Sequence, residues 1–417
     1  MEYIDFAAVL SALYDGYNVV IFVFALSIMS SYLILGSISI RSLKSYLNEN
    51  SFVNYHVILH SEMAPPLSLI APAYNEALSI KENIKSLLSL NYNNYEVIVV
   101  NDGSKDDSLQ LLIKAYELFP VDSEFEQKIF TKPVKQVYKS RNKAFKKLTV
   151  IDKINGGKAD ALNVGLNFSK NPYVVCIDVD CILEKDALLK LAKPYLESSD
   201  QRVIATGGVV RIANSCISDG GRLVKIKAPQ KMLPRIQVLE YLRAFLLGRM
   251  AWSKLDGLLL ISGAFGMFDK EIAIKAGGYN PKTVGEDMEL VVRMRRYMIE
   301  NNFKYSVSYI PDPICWTEAP ENLEIFKKQR SRWTRGTMET LWEHKKMFFN
   351  PRYKILGMLS VPYWTFFEYL APLVEVFGIA LTIFLLSNSL ISAYIFALII
   401  IMVYVFSVML STLALLT

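Results

Sequence analysis

The chain has 417 residues and a formal charge of only +6, from 46 Lys and Arg against 40 Asp and Glu. Hydrophobic residues make up 52% and charged residues 21%, too apolar for disorder or for an ordinary soluble protein. A small disulfide scaffold, a collagen and a wholly soluble enzyme are excluded.

No charge falls between residues 17 and 40, and none from 376 to 417. The rest of the chain is charged at about a quarter of its positions, as in a soluble domain. A membrane-spanning helix needs about 20 apolar residues, so the first stretch is one span and the last has room for nearly two. The leader carries Glu2, Asp5 and Asp15 and no Lys or Arg, unlike a signal peptide. Arg41 and Lys44 follow the first stretch; Lys345, Lys346, Arg352 and Lys354 precede the last. By the positive-inside rule both flanks of the middle region face the cytoplasm. The chain divides into an N-terminal segment 1–41 with a transmembrane helix, a cytoplasmic domain 42–353, and a segment 354–417 of interfacial and transmembrane helices.

Within the middle region short apolar runs alternate with amphipathic stretches. Strands are expected at 67–71, 95–100, 148–151 and 173–177. Helices are expected at 76–90, 105–118, 158–168 and 186–193, the last ended by Pro194. Strands that are apolar throughout and alternate with helices make a parallel sheet covered on both faces. Residues 128–158 hold ten Lys or Arg and one acid, Asp152, and read as a solvated loop near anionic lipid. No nucleic-acid-binding fold accompanies that run. Residues 237–249 form an amphipathic stretch on the membrane surface or along an acceptor path. Cys176, Cys181, Cys216 and Cys315 read as reduced, core-packed thiols.

In the tail, Glu368 and Glu375 are the only charges after Lys354, and Pro362 and Pro372 interrupt the run. An interfacial segment at 355–367, a span at 369–386, a polar turn at Ser387-Asn388-Ser389 and a further span from 390 follow. The N-terminus and that turn are expected outside the cell. The uncapped end at Thr417 reads as a break inside a longer membrane domain.

In parallel sheets ligands bind beyond the carboxyl ends of the strands, and the polar clusters fall there. Pro72-Ala73-Tyr74-Asn75-Glu76 follows the first strand, Asn101-Asp102-Gly103-Ser104 the second, and Asp178-Val179-Asp180 a later one. Singly, an Asp or Asn before a helix is an N-cap more often than a ligand. Together they converge on one crevice. Two carboxylates at one strand end can hold a divalent cation that neutralises a diphosphate. Asn155-Gly156-Gly157-Lys158 adds glycines for close backbone approach and a cation. Glu286-Asp287 opens an amphipathic helix, where acids also simply favour the helix N-terminus.

These motifs, with Ser262-Gly263-Ala264, Gly285-Glu286-Asp287 and Gln329-Arg330-Ser331-Arg332-Trp333, resemble in order the membrane-embedded family 2 glycosyltransferases. That family includes poly-N-acetylglucosamine, hyaluronan, chitin and cellulose synthases; the Gly-Gly-Lys and Ser-Gly-Ala forms are most similar to the first. The resemblance runs from about residue 66 to Trp333 and into the flanking spans. It implies an α/β GT-A fold with a Rossmann-like, mostly parallel sheet, a UDP-sugar donor, Mg²⁺ or Mn²⁺, and inversion at the anomeric carbon. It places Ala73, Tyr74, Asn75, Glu76 and Asp102 at the nucleotide, with Lys158, Asp178, Gln329 and Arg332 on the donor. Asp180 corresponds to the metal ligand and Asp287 to the catalytic base. Trp333, Ser262, Gly263 and Glu286 correspond to acceptor-binding positions. Val179 and Cys181 depart from the common Ala and Thr or Ser, and Gly285 from the Thr of cellulose synthases.

The function implied is processive synthesis of a β-linked polysaccharide, of N-acetylglucosamine units, at the inner membrane, with lipids and an export or regulatory subunit as partners. The rival is single transfer to a lipid acceptor such as diacylglycerol or a polyprenyl phosphate. Direct displacement needs a base for the acceptor hydroxyl and cations on the leaving diphosphate, and no covalent intermediate.

Overall fold

The computed structural model describes residues 6–53, 55–198, 200–387 and 392–416. Among the described residues twelve strands occur in chain order: β1 Leu67–Ala73, β2 Tyr95–Asn101, β3 Leu118–Val121, β4 Val134–Ser140, β5 Leu148–Lys153, β6 Tyr173–Ile177, β7 Ile182–Leu183, β8 Arg202–Ile212, β9 Ile217–Asp219, β10 Arg222–Lys225, β11 Phe265–Asp269 and β12 Tyr305–Thr317. Ten of them form one sheet in the order β3-β4-β5-β2-β1-β6-β11-β8-β12-β7; β9 and β10 form a separate hairpin. The run β5-β2-β1-β6 is parallel, and antiparallel pairs extend it on both sides. This is an α/β fold of the GT-A kind.

The parallel strands are buried over nearly their whole length because helices cover both faces. Each buried Leu, Ile or Val there contributes about 1.5–3 kcal/mol. Register then positions the site. Ala73 pairs with Asn101, and Asn101 with Asp152, so the loops after β1, β2 and β5 leave the sheet side by side. Across the sheet, Ile177 pairs with Phe265, and the Asp178 N–H donates to the Ala264 carbonyl at 3.2 Å. That pairing brings Asp178-Val179-Asp180 against Ser262-Gly263-Ala264.

Several boundaries differ from expectation. The helix after β1 is shorter, Ile80–Leu88, because residues 74–79 are held in a loop. The helix after β2 is Ser108–Ala115. The helix at Ala187–Glu197 runs through Pro194. Proline there removes one hydrogen bond near the helix end, while buried Leu188, Leu191 and Ala192 hold the turn to the sheet. The basic stretch 128–158 is not a loop: it contains β4 and β5, and Lys153 is wholly buried. Of the four free cysteines, Cys176, Cys181 and Cys315 are buried but Cys216 is half-exposed.

The N-terminal helix runs Phe6–Asn50, and Val19–Asn50 is long and apolar enough to cross a membrane. Its far end is tied to the sheet by Tyr46, whose hydroxyl donates to Asp312 Oδ2 at 2.5 Å. Leu356–Tyr369 and Ala371–Ser387 meet at a 41° bend and together pass the same test, and a shorter apolar helix covers Ile400–Leu415. The bend falls beside Pro372, as a proline kink would. The expected polar turn lies, past Ser387, outside the described residues, as do the first five residues.

Candidate active site

A cavity of about 470 Å³ opens beyond the carboxyl end of β6. Lys158, at the start of the helix Lys158–Phe168, lies in its wall with Nζ 2.5 Å from Asp178 Oδ1 and 3.6 Å from Glu286 Oε1. Burial disfavours the ammonium, but Asp178 and Glu286 outweigh it and hold its pKa above the usual lysine range. Asp180 lines the same cavity. Burial and the neighbouring Asp178 charge push its carboxyl up.

Gly263 donates its N–H to Asp287 Oδ2 at 2.8 Å. A Cβ on Gly263 would stand 3.0 Å from that oxygen and 3.3 Å from Lys158 Nζ, so any larger residue crowds both. Asp287 Oδ1 accepts from the Met288 N–H at 2.8 Å. Glu286 is raised by burial first; Lys158 opposes the rise and Asp287 adds to it. Both acids open the helix Glu286–Glu300, whose free N–H groups favour negative charge. Ser262 completes this wall.

The opposite wall is the helix Leu323–Glu343, which contributes Gln329, Arg332 and Trp333. Trp333 is 40% exposed, its ring open to an approaching ligand. Arg330, unassigned from sequence, makes a bidentate ion pair with Glu240, Nη2 to Oε2 at 2.7 Å, and its guanidinium lies 4.3 Å from the Trp333 ring centroid. It therefore joins this helix to Met232–Leu242 and fixes the indole plane.

Ala73, Tyr74, Asn75, Glu76 and Asp102 do not line the cavity. They form an adjoining shelf. Asn75 adopts φ 57, a conformation Asn tolerates, and its Oδ1 accepts from the Lys105 N–H at 2.8 Å. The Glu76 N–H donates to Ser108 Oγ at 2.8 Å, knitting the β1 and β2 loops together. Tyr74 is exposed above this shelf and Ala73 is buried beneath it. Asp102 is buried, and its carboxylate accepts from the N–H groups of Gly156 and Gly157 at 2.9 and 2.8 Å.

Asp178, Asp180 and Glu76 are the carboxylates that could hold a divalent cation at the junction of shelf and cavity. Burial first, then Asp180 and Asp178 among other charges, push the Glu76 carboxyl up, so the cluster is short of positive charge. Among the described residues no three or more His, Cys, Asp or Glu side chains converge as a self-sufficient metal cage. Mg²⁺ commonly uses one or two carboxylates and completes its shell with water and substrate phosphate, which this donor set fits.

Sequence reasoning put residues 237–249 on the membrane surface or along an acceptor path, and missed Glu368 at the cavity's far end. Glu240, Arg249 and Glu368 line it, and Arg249 stacks 3.9 Å from the Phe245 ring centroid. Gln329 Oε1 and Arg249 Nη1 are buried without a protein partner, as befits a lining that receives a polar ligand. The isolation of Glu368 in an otherwise apolar run was the available sign. Gly336 was also missed; it packs directly on Gly285.

Residues 173–409 match the family described as glycosyl transferase family group 2, and residues 68–149 and 131–214 match glycosyl transferase family 2. The poly-beta-1,6-N-acetyl-D-glucosamine synthase of Staphylococcus epidermidis is 27% identical over 315 residues, 75% of this chain and 64% of that protein. The synthase of the same name from Staphylococcus aureus strain COL is 28% identical over 318 residues, with the same coverage. The chain thus spans under two thirds of these relatives' length. Among solved structures, a mannosyltransferase from Pyrobaculum calidifontis in complex with GDP-Man and Mn²⁺ superposes with a TM-score of 0.50 at 18% identity, covering 92% of this chain and 98% of that one. That likeness concerns the fold.

Proposed function

The chain belongs to glycosyl transferase family group 2, and we propose that it transfers N-acetylglucosamine from a UDP-sugar, with inversion, to a growing β-linked polysaccharide at the cytoplasmic face of the inner membrane. The observation that carries this reading is the meeting, around one cavity of about 470 Å³, of a cation, an acidic strand end, a carboxylate pair and an aromatic platform from four separate parts of the chain.

The nucleotide rests on the shelf of Tyr74, Asn75 and Glu76, and its diphosphate faces Lys158 and Arg332. Asp180, beside Asp178, would hold the divalent cation, which when bound neutralises the departing diphosphate. Asp287 takes the proton of the acceptor hydroxyl as that oxygen attacks the anomeric carbon. Its orientation is set by the N–H groups of Gly263 and Met288, leaving no freedom to rotate away. Trp333 stacks on the acceptor sugar, and Gln329, whose side-chain oxygen is buried without a protein partner, contacts the donor. Synthesis of a polymer, rather than one transfer, is supported by the cavity's extension from Trp333 to Glu368 and Tyr369 beside the apolar helices and by the synthases among the relatives. The flanking Lys and Arg support a cytoplasmic catalytic domain.

The test is incubation of the full chain in lipid nanodiscs with a panel of labelled UDP-sugars, reading UDP release and product length. A ladder made from UDP-N-acetylglucosamine supports the proposal. A single glycolipid, or release from another sugar only, contradicts it.

A further inference from the structure

Lys153, at the end of β5, has no exposed surface, yet its ammonium sits among three oxygens. Nζ is 2.7 Å from Asp102 Oδ1 and 2.7 Å from Asp160 Oδ1, and donates to the Ile154 carbonyl at 2.6 Å. A buried cation is costly to keep and is retained stably only when its partners are fixed around it. Here those partners hold the glycine loop. Asp102 accepts from the Gly156 and Gly157 N–H groups, and the Asp102 carbonyl accepts from Asn155 Nδ2 at 2.8 Å. Gly156 lies so close over Asp160 that a Cβ there would stand 2.5 Å from Asp160 Oδ1. Gly157, at φ 90, then turns the chain into the helix that carries Lys158. Two carboxylates hold the loop from beneath, and one ammonium joins the two carboxylates.

We propose that Lys153 is a positioning residue for the donor: acting through Asp102 and Asp160, it fixes the Gly156–Gly157 loop and so sets where Lys158 meets the diphosphate. The inference rests on reading the Lys158 wall as the donor site. It also gives Asp102 a different part from direct contact with the base. Asp102 is buried and its carboxylate is held by Lys153 and the Gly156 and Gly157 N–H groups, so its part is to hold the loop. Lys153→Met keeps the length of the side chain but leaves two carboxylates facing each other with no cation between them. Asp160→Asn keeps the volume but turns an amide N–H₂ toward the Lys153 ammonium and the Lys132 N–H, which are themselves donors.

The experiment compares the wild-type chain, Lys153→Met and Asp160→Asn in nanodiscs, measuring UDP-N-acetylglucosamine KM, kcat, product length and melting temperature. The expected result is a rise of about tenfold or more in donor KM for both variants, with kcat at saturating donor and product length within about threefold of wild type. Asp160→Asn retains Lys153 and its pairing with Asp102, so it carries the test if Lys153→Met does not fold. A folded variant whose donor KM stays within about twofold of wild type overturns the inference, as does a loss confined to kcat. Wild-type protein that cannot be saturated by any UDP-sugar overturns the donor reading itself, a result distinct from either.

Discussion

Gly336 and Gly285 touch backbone to backbone: a Cβ on either would stand 2.7 Å from the Cα of the other. The contact presses the helix that carries Gln329, Arg332 and Trp333 against the residue just before Glu286 and Asp287. Three residues further along, Glu339 Oε2 accepts from Thr283 Oγ1 at 2.9 Å and from the Val284 N–H at 3.0 Å, closing the same seam. The helix that carries Trp333 and the start of the helix that carries Asp287 are therefore packed directly on each other.

Gly336→Ala must force that seam apart, since the obstructing atoms are backbone and cannot rotate away. Overpacking of this kind costs about 1–3 kcal/mol. The expected outcome is a lower melting temperature, with transfer falling by about tenfold as Trp333 moves from Asp287. Thermal denaturation and UDP release on the same preparation check it.

The other end of this helix pair is held by charge. Glu289 is buried, paired to Arg293 at 2.7 Å and facing His344 Nε2 at 3.2 Å. Burial raises its carboxyl, but the His344 hydrogen bond and Arg293 outweigh it, and the net pKa lies below the usual value of 4.5. A folded pKa below the unfolded one contributes stability that is present above about pH 4.5 and lost as pH falls through the folded value. Glu289→Gln should therefore flatten the acid limb of melting temperature against pH. An unchanged acid limb would show that this pair does not set it.

Sequence periodicity located the parallel strands closely, because strands buried on both faces are mostly apolar, even with Ser68 in β1 and Asp152 and Lys153 at the end of β5. Residues 173–177 and 158–168 fall where the pattern put them. It did not reveal that β4 lies within the basic run, since β4 is an antiparallel, only partly buried strand that carries Lys135 and Lys139. Lys158, Asp178, Asp180, Asp287 and Trp333, which the motif order singled out, line one cavity. The roles of Arg330, Glu240 and Gly336 depend on which helices cross, and nothing local in their neighbourhoods encodes that.

For the cation, Asp180→Asn should abolish transfer while the protein stays folded, because burial and Asp178 already penalise this carboxylate. Wild-type activity should disappear in excess chelator and return on adding Mg²⁺ or Mn²⁺. Full activity in chelator would remove the metal from the account.

Trp333→Ala leaves Lys158, Asp178 and Asp180 in place but removes the surface for the acceptor ring. Product chains should vanish while slow release of UDP to water continues, measured by sizing the product against total UDP. Normal chain lengths would assign the platform elsewhere, with Tyr241, whose ring centroid lies 6.5 Å from that of Trp333, as the next residue to change.

The most direct measurement is the rate of polymer formation by Asp287→Asn, with donor binding followed on the same sample. The amide can still accept the Gly263 hydrogen bond, so the loop stays in place. It cannot take a proton from the acceptor hydroxyl. The account predicts donor affinity close to wild type and transfer reduced by about 10²-fold or more. Polymer made by Asp287→Asn at near the wild-type rate would contradict it, and Glu286-Asp287 would then be a helix start and nothing more.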